Sequence, residues 1–268
     1  MTEQAVEGFR AERDAILEIG RSLTDDEWNM PSDCAGWATR DVLGHMAATL
    51  HGVVDPAYLP DMTSGTEGAM EGPVDQRRRL PIGDVLDEYE TCSGKAADVF
   101  QSVQAPGVGE TPLPMGDLGT HTLSMLPATF LFDAYTHLRV DMLRPYGSID
   151  RPEPPRDEQR LAPTIEWMLA GLPWMCTDAL NDAVQRPLVL ELSGPGGGTW
   201  TLAPADPGDD GGRIAISAGA TGDAVATIQS SSHDFVIWGT QRRPWRDFVA
   251  ITGDADYAAP VLDAVNVI

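Results

Sequence analysis

Two of the five histidines stand where their spacing to a carboxylate could do chemistry. In FDAYTHLRVD, Asp133 and His137 are four residues apart. On a helix that puts both on one face, with Cβ atoms about 5–6 Å apart. His45, in RDVLGHM, falls on another amphipathic stretch, and a helical bundle can aim it across its core at the pair. Two imidazoles and one carboxylate suit a borderline-hard divalent cation and leave a coordination position open. Spacing alone leaves a plain surface Asp/His pair as the alternative.

Other chemistry-bearing residues have blander readings. Asp41 lies four residues before His45 and could fix its imidazole tautomer from behind. As a first-turn acid it is equally what a helix dipole favours, and that reading is preferred. His51 falls on a different face from His45, and His121 reads as a surface position. Cys34 has no cationic neighbour in sequence and reads as packing in a turn, with Trp28 and Trp37 as core at the bundle end. Arg242, Arg243 and Arg246 form a dense basic patch. An arginine fork can clamp a carboxylate, and Arg243 is the choice for that role, with Arg242 and Arg246 as further substrate-binding candidates. Pro244 and Trp245 suit a structural, ring-stacked arginine just as well. The run Arg77-Arg78-Arg79 reads as solvated loop.

The elements that must position these residues divide the chain in two. Phe9, Ile16 and Leu23 recur every seven residues, as on an amphipathic helix. Thr24 and Glu27 have capping-box spacing. After a turn over 31–36, Thr39 is the expected N-cap of a helix with Val42, Leu43, Met46 and Leu50 on its apolar stripe. Residues 55–81 read as a long loop. Helices through IGDVLDEYETCSGKAADVF and LSMLPATFLFDAYTHLRVDMLRPYG complete a four-helix bundle over 1–147. Residues 148–160 have a linker's proline and charge content, and 161–268 reads as an α+β domain. There a helix with a break expected at Pro173 precedes the β-type runs LVLEL, GTWTL, GRIAISA and AVATIQS and two further helices. The glycines of GPGGG lack the Lys-Ser/Thr and following helix of a phosphate loop, so they read as a hairpin turn.

Composition narrows the function classes. With 18 Lys+Arg against 41 Asp+Glu, the formal charge is −23. That field repels nucleic-acid backbones and anionic membrane surfaces, so neither is an expected partner. The N-terminus does not read as a signal peptide, no run has the length of a membrane span, and the 3 cysteines form no CxxC. A cytoplasmic location is expected.

The pattern W…PS.C.GW..RDVL.H at 28–45 resembles the mycothiol-dependent maleylpyruvate isomerase family, a group of DinB-like metal-binding four-helix bundles. FDAYTHLRVDMLRPYG and DFVIWGTQRRPWRDFVAITGD extend the resemblance, the latter to the family's sterol-carrier-like C-terminal domain. The resemblance implies a divalent metal, usually zinc, on His45, Asp133 and His137, with Asp133 where a glutamate is commoner. Asp141 follows His137 at four residues where the family's acid often follows at three, leaving its role open. An arginine from the C-terminal region near the active site is also implied, on Arg243. Mycothiol would bind the metal as a thiolate and meet a small electrophile, anionic ones included, for isomerisation or thiol S-transfer. The other reading is a non-catalytic small-molecule binding protein with a vestigial metal site.

Overall fold

The computed structural model describes residues 2–59, 65–204 and 213–268. The chain forms two compact units. One comprises the chain up to Gly116 together with Thr120–Pro155, and the other Asp117–Gly119 with Arg156–Ile268.

The first unit is a helical bundle. Its long members are α1 (Thr2–Ser22), α3 (Thr39–Val54), α5 (Ile82–Ser102) and α6 (Leu126–Thr136), and the short α2 (Asp25–Trp28) joins α1 to α3. α1 packs on α5 and α6, and α3 packs on α5. The heptad positions Phe9 and Ile16 are fully buried, and Phe9 meets Phe100 of α5 edge to face with centroids 5.0 Å apart. The capping box at α2 is present: Thr24 Oγ1 accepts from Glu27 N–H, and the Glu27 carboxylate accepts from Thr24 N–H. The N-cap of α3 is Ala38, not Thr39. Asp41 Oδ2 accepts the Ala38 N–H at 2.8 Å, while Thr39 turns its N–H and hydroxyl to Met30 O.

The expected loop over 55–81 contains a helix, α4 (Gly65–Arg78), packed on α3. Its glycines and Pro73 hide it from a propensity reading. Its docking is carried by Ala69, Met70 and Val74, which are buried at helical spacing.

The second unit is an α+β fold. A five-stranded sheet has the order β5-β4-β3-β6-β7, with β3 (Leu188–Ser193), β4 (Gly198–Ala203), β5 (Ala215–Ala218), β6 (Ala226–Ser231) and β7 (Ala250–Gly253). Among the described strands of this sheet, β3 and β6 pair in parallel and the other neighbours antiparallel. The GPGGG glycines make the β3–β4 hairpin, where Gly194 and Gly196 take positive φ at 87° and 68°. Helices α7 (Glu158–Met175), α9 (Ser232–Gly239) and α10 (Ala255–Asp263) pack on one another or on the strands, and α8 (Thr177–Ala183) follows α7. The helix break falls at Cys176, since α7 runs on past Pro173. In the first unit a separate pair, β1 (Pro112–Pro114) with β2 (Thr120–Thr122), precedes α6. No helix among the described residues is long and apolar enough to cross a membrane.

Candidate metal centre

The bundle brings the three sequence-selected residues together. α3 carries His45 and α6 carries Asp133, while His137 opens a π-helical segment, His137–Met142, that continues α6. His45 Nε2 lies 3.2 Å from Asp133 Oδ1, and His137 Nε2 lies 3.3 Å from the same oxygen. The two imidazole rings meet edge to face with centroids 4.9 Å apart. One ligand atom from each residue falls within 4.8 Å of the others, as a single divalent ion requires.

The π segment explains how His137 is held. Its wider i→i+5 bonding, seen in Leu143 N–H to Leu138 O at 3.0 Å, marks a local insertion of the kind that recurs at functional sites. Across that turn His137 Nδ1 meets Asp141 Oδ2 at 2.6 Å, and Asp141 is fully buried. A carboxylate on Nδ1 keeps the N–H there and turns Nε2 toward Asp133 and His45. The residue that fixes an imidazole is therefore Asp141. Asp41, the sequence candidate for that role on His45, is instead committed to the Ala38 N–H and to Arg78 Nε at 3.0 Å. His45 Nδ1 is buried with no hydrogen-bond partner among the described residues.

The turn at 31–37 closes over this segment. Asp33 N–H donates to Asp141 O at 2.9 Å, Ser32 Oγ donates to Trp37 O, and Gly36 takes φ +81°, where a Cβ would be strained. The turn places two residues read from sequence as mere packing against the site. The Cys34 sulfur lies within 4.8 Å of a donor atom of His137, and the Trp37 ring packs 5.5 Å from that of His45. Neither neighbour is readable locally, because the contacts come from chain about a hundred residues away or from a rotation along α3. Trp28, by contrast, is core.

The electrostatics fit a cation. Burial opposes the charge of Asp133, but the charges of His137 and His45 outweigh it and hold the carboxyl well below the usual carboxylate range. Burial likewise opposes a charged His137, yet the Asp133 carboxylate and hydrogen bonds with Asp133 and Asp141 hold the imidazole well above its usual value. The cluster thus binds a proton tightly where its donor atoms converge. A divalent ion would compete with that proton using the same donors. The residues fit such an ion in type, convergence and orientation.

A second set, His51, Glu88 and Cys92, also has donor atoms within 4.8 Å. Arg77 reads differently from the sequence expectation here: it is buried and forks Glu88 through Nε at 2.9 Å and Nη2 at 2.6 Å, while His51 Nδ1 holds Glu88 Oε1 at 2.6 Å. Burial and the Glu88 charge push the Cys92 thiol up. That set is an anchor for α4. His121, expected on the surface, is buried.

In the second unit Arg246 pairs with both oxygens of Asp263 at 2.9 and 3.3 Å and stacks on Trp245. Its sequence role as a substrate-binding candidate thus competes with a structural pair. Arg243 Nη1 donates to Arg242 O at 2.5 Å.

Residues 9–138, which include α3, α6 and all three converging donors, match the model of the mycothiol maleylpyruvate isomerase N-terminal domain. The helical unit is thus similar to the N-terminal domain of the mycothiol maleylpyruvate isomerase family. A crystal structure of the mycothiol-dependent maleylpyruvate isomerase superposes with a TM-score of 0.56 at 14% identity over 95% of each chain. A variant of that enzyme with one histidine replaced by alanine gives 0.55 at 13% identity, again over 95% of each. At these identities the likeness shows a shared fold spanning both units. No curated protein sequence matches the chain.

Proposed function

We propose that the chain is a divalent-metal-dependent enzyme that presents a low-molecular-weight thiol, mycothiol, to a small electrophile, as an isomerase or thiol S-transferase. The observation that carries this reading is the convergence of His45 Nε2, Asp133 Oδ1 and His137 Nε2, with the opposite nitrogen of His137 held by Asp141. A bound divalent ion, zinc in this reading, acidifies a coordinating thiol whose free pKa is about 8.5. His45, Asp133 and His137 hold the ion, and Asp141 orients His137. Asp133 is one methylene shorter than a glutamate, and its Oδ1 at 3.2 and 3.3 Å from the two imidazole nitrogens supports its place as the third ligand. Arg243 of the second unit is proposed as an arginine whose guanidinium donors recognise the thiol or the substrate, an assignment resting on the family resemblance.

The test is metal analysis and thermal denaturation of protein purified without chelator. Wild type should carry about one equivalent of metal, and His137→Ala should lose most of it while keeping its helical circular dichroism. Mycothiol should raise the melting temperature only of metal-loaded protein, by an amount matching about 2.7 kcal/mol at 100 times its Kd. Full metal content in His137→Ala, or equal protection of metal-free protein, would refute the reading.

A further inference from the structure

The charges around the metal cluster narrow the electrophile, on the premise that the reading above holds. Trp37, half-buried against His45, donates its indole N–H to Glu71 Oε2 of α4 at 3.3 Å. The Glu71 side chain is 58% exposed, so the aromatic ring beside the cluster carries a solvated carboxylate on its edge. The arginine that reaches that carboxylate is shared. Arg78 bonds Glu71 at 3.2 Å, Asp75 at 2.5 Å and Asp41 at 3.0 Å, one positive charge among three carboxylates.

Two further arginines of the helical unit are no more available. Arg77 is forked by Glu88, and Arg139, two residues after the ligand His137, is buried against Glu12 with Glu153 close by. The chain as a whole carries a formal charge of −23. An anionic substrate would approach through a field of its own sign, toward arginines already paired with carboxylates of the bundle. An uncharged conjugated molecule meets no such barrier and finds an aromatic face in Trp37.

We infer that the site takes an uncharged, conjugated electrophile, with Trp37 as its apolar wall and Glu71 as the residue that discriminates against anions. Both are specificity residues, and neither is a metal ligand.

The experiment uses the metal-loaded full chain, mycothiol, and the pair dimethyl maleate and maleate, with each kcat/KM divided by the uncatalysed rate of the same thiol and electrophile. At about 10 mM salt the neutral diester should be favoured by tenfold or more, and the preference should shrink markedly at about 0.5 M as screening sets in. Glu71→Gln, at an exposed side chain, should raise the maleate value about fourfold at low salt and little at high salt. Trp37→Leu should lower the diester value, and Glu110→Gln, on the loop before β1, should leave both unchanged. A preference for maleate, or a ratio indifferent to salt and to Glu71→Gln, overturns the inference while leaving the metal–thiol reading intact. No turnover of either compound by metal-loaded protein overturns both together.

Discussion

Asp141 is the residue whose role the structure changes most. Its spacing from His137 repeats that of Asp133, so a sequence shows two carboxylates flanking one imidazole without saying which is ligand and which is support. The structure separates their positions: Asp133 meets Nε2 from the α-helical side, and Asp141 meets Nδ1 across the wider turn. The three proposed ligands were readable because i,i+4 spacing and a histidine on the apolar stripe of α3 need only helix geometry. The contacts of Cys34 and Trp37 were not, since they depend on how the 31–37 turn docks. The roles imply a mutant pair with unequal outcomes. Asp133→Asn removes a charged ligand and should abolish metal binding. Asp141→Asn keeps the shape but can offer Nδ1 the wrong partner, weakening metal affinity by about 10- to 100-fold. Competition with a chromogenic chelator measures both. Equal affinity of Asp141→Asn and wild type would reduce the buried Asp141–His137 bond to a packing detail.

Helix α4 shows how an element can be invisible to propensity and still be well held. Its glycines and Pro73 argue against a helix, and what fixes it is tertiary: Arg77 reaches Glu88 and Pro73 O, and Arg78 reaches Asp41. Arg77→Met removes a buried cation and leaves Glu88 with only His51, so it should cost about 3 kcal/mol. For a chain of this size that is roughly 6–12 °C in melting temperature. An exposed loop arginine, the role its sequence neighbours suggest, would change stability by less than about 0.5 kcal/mol. A neighbouring element makes a different kind of bond. Glu27 caps α2 and accepts from Arg151 Nη1 at 2.8 Å. The Arg151 hydrogen bond, then the Thr24 N–H, lower its pKa to about 2. A carboxyl depressed in the folded state adds stability above its unfolded value, near 4.3, and that stability is lost as pH falls through about 2. In acid titrations the stability gap between wild type and Glu27→Gln should therefore be widest above pH 4.5 and close near pH 2. A gap that stays constant through this window would mean that Glu27 acts through packing, not charge.

At the scale of the whole molecule, the change from 3.6-residue periodicity to short β-branched runs separated the bundle from the α+β fold in sequence, and the linker composition lies near where unit two begins at Arg156. β7 escaped because Ala250–Gly253 is a short run with no alternation of its own, held at the sheet edge by pairing with β6. The charge, also plain in sequence, makes a prediction that the ion pairs alone would reverse. Close pairs such as Arg77–Glu88 at 2.6 Å lie well inside any Debye length and are partly buried, so salt screens them little. The mutual repulsion within a formal charge of −23 acts over tens of ångströms. Raising salt from about 10 to about 150 mM cuts the Debye length from about 30 to about 8 Å and removes the long-range repulsion first. The melting temperature, measured with chelator present so that metal binding does not vary, should therefore rise by roughly 3–5 °C, about 1–2 kcal/mol for a chain of this length. A melting temperature that falls with salt would show that the many surface pairs, and not the net charge, set the electrostatic balance of the fold.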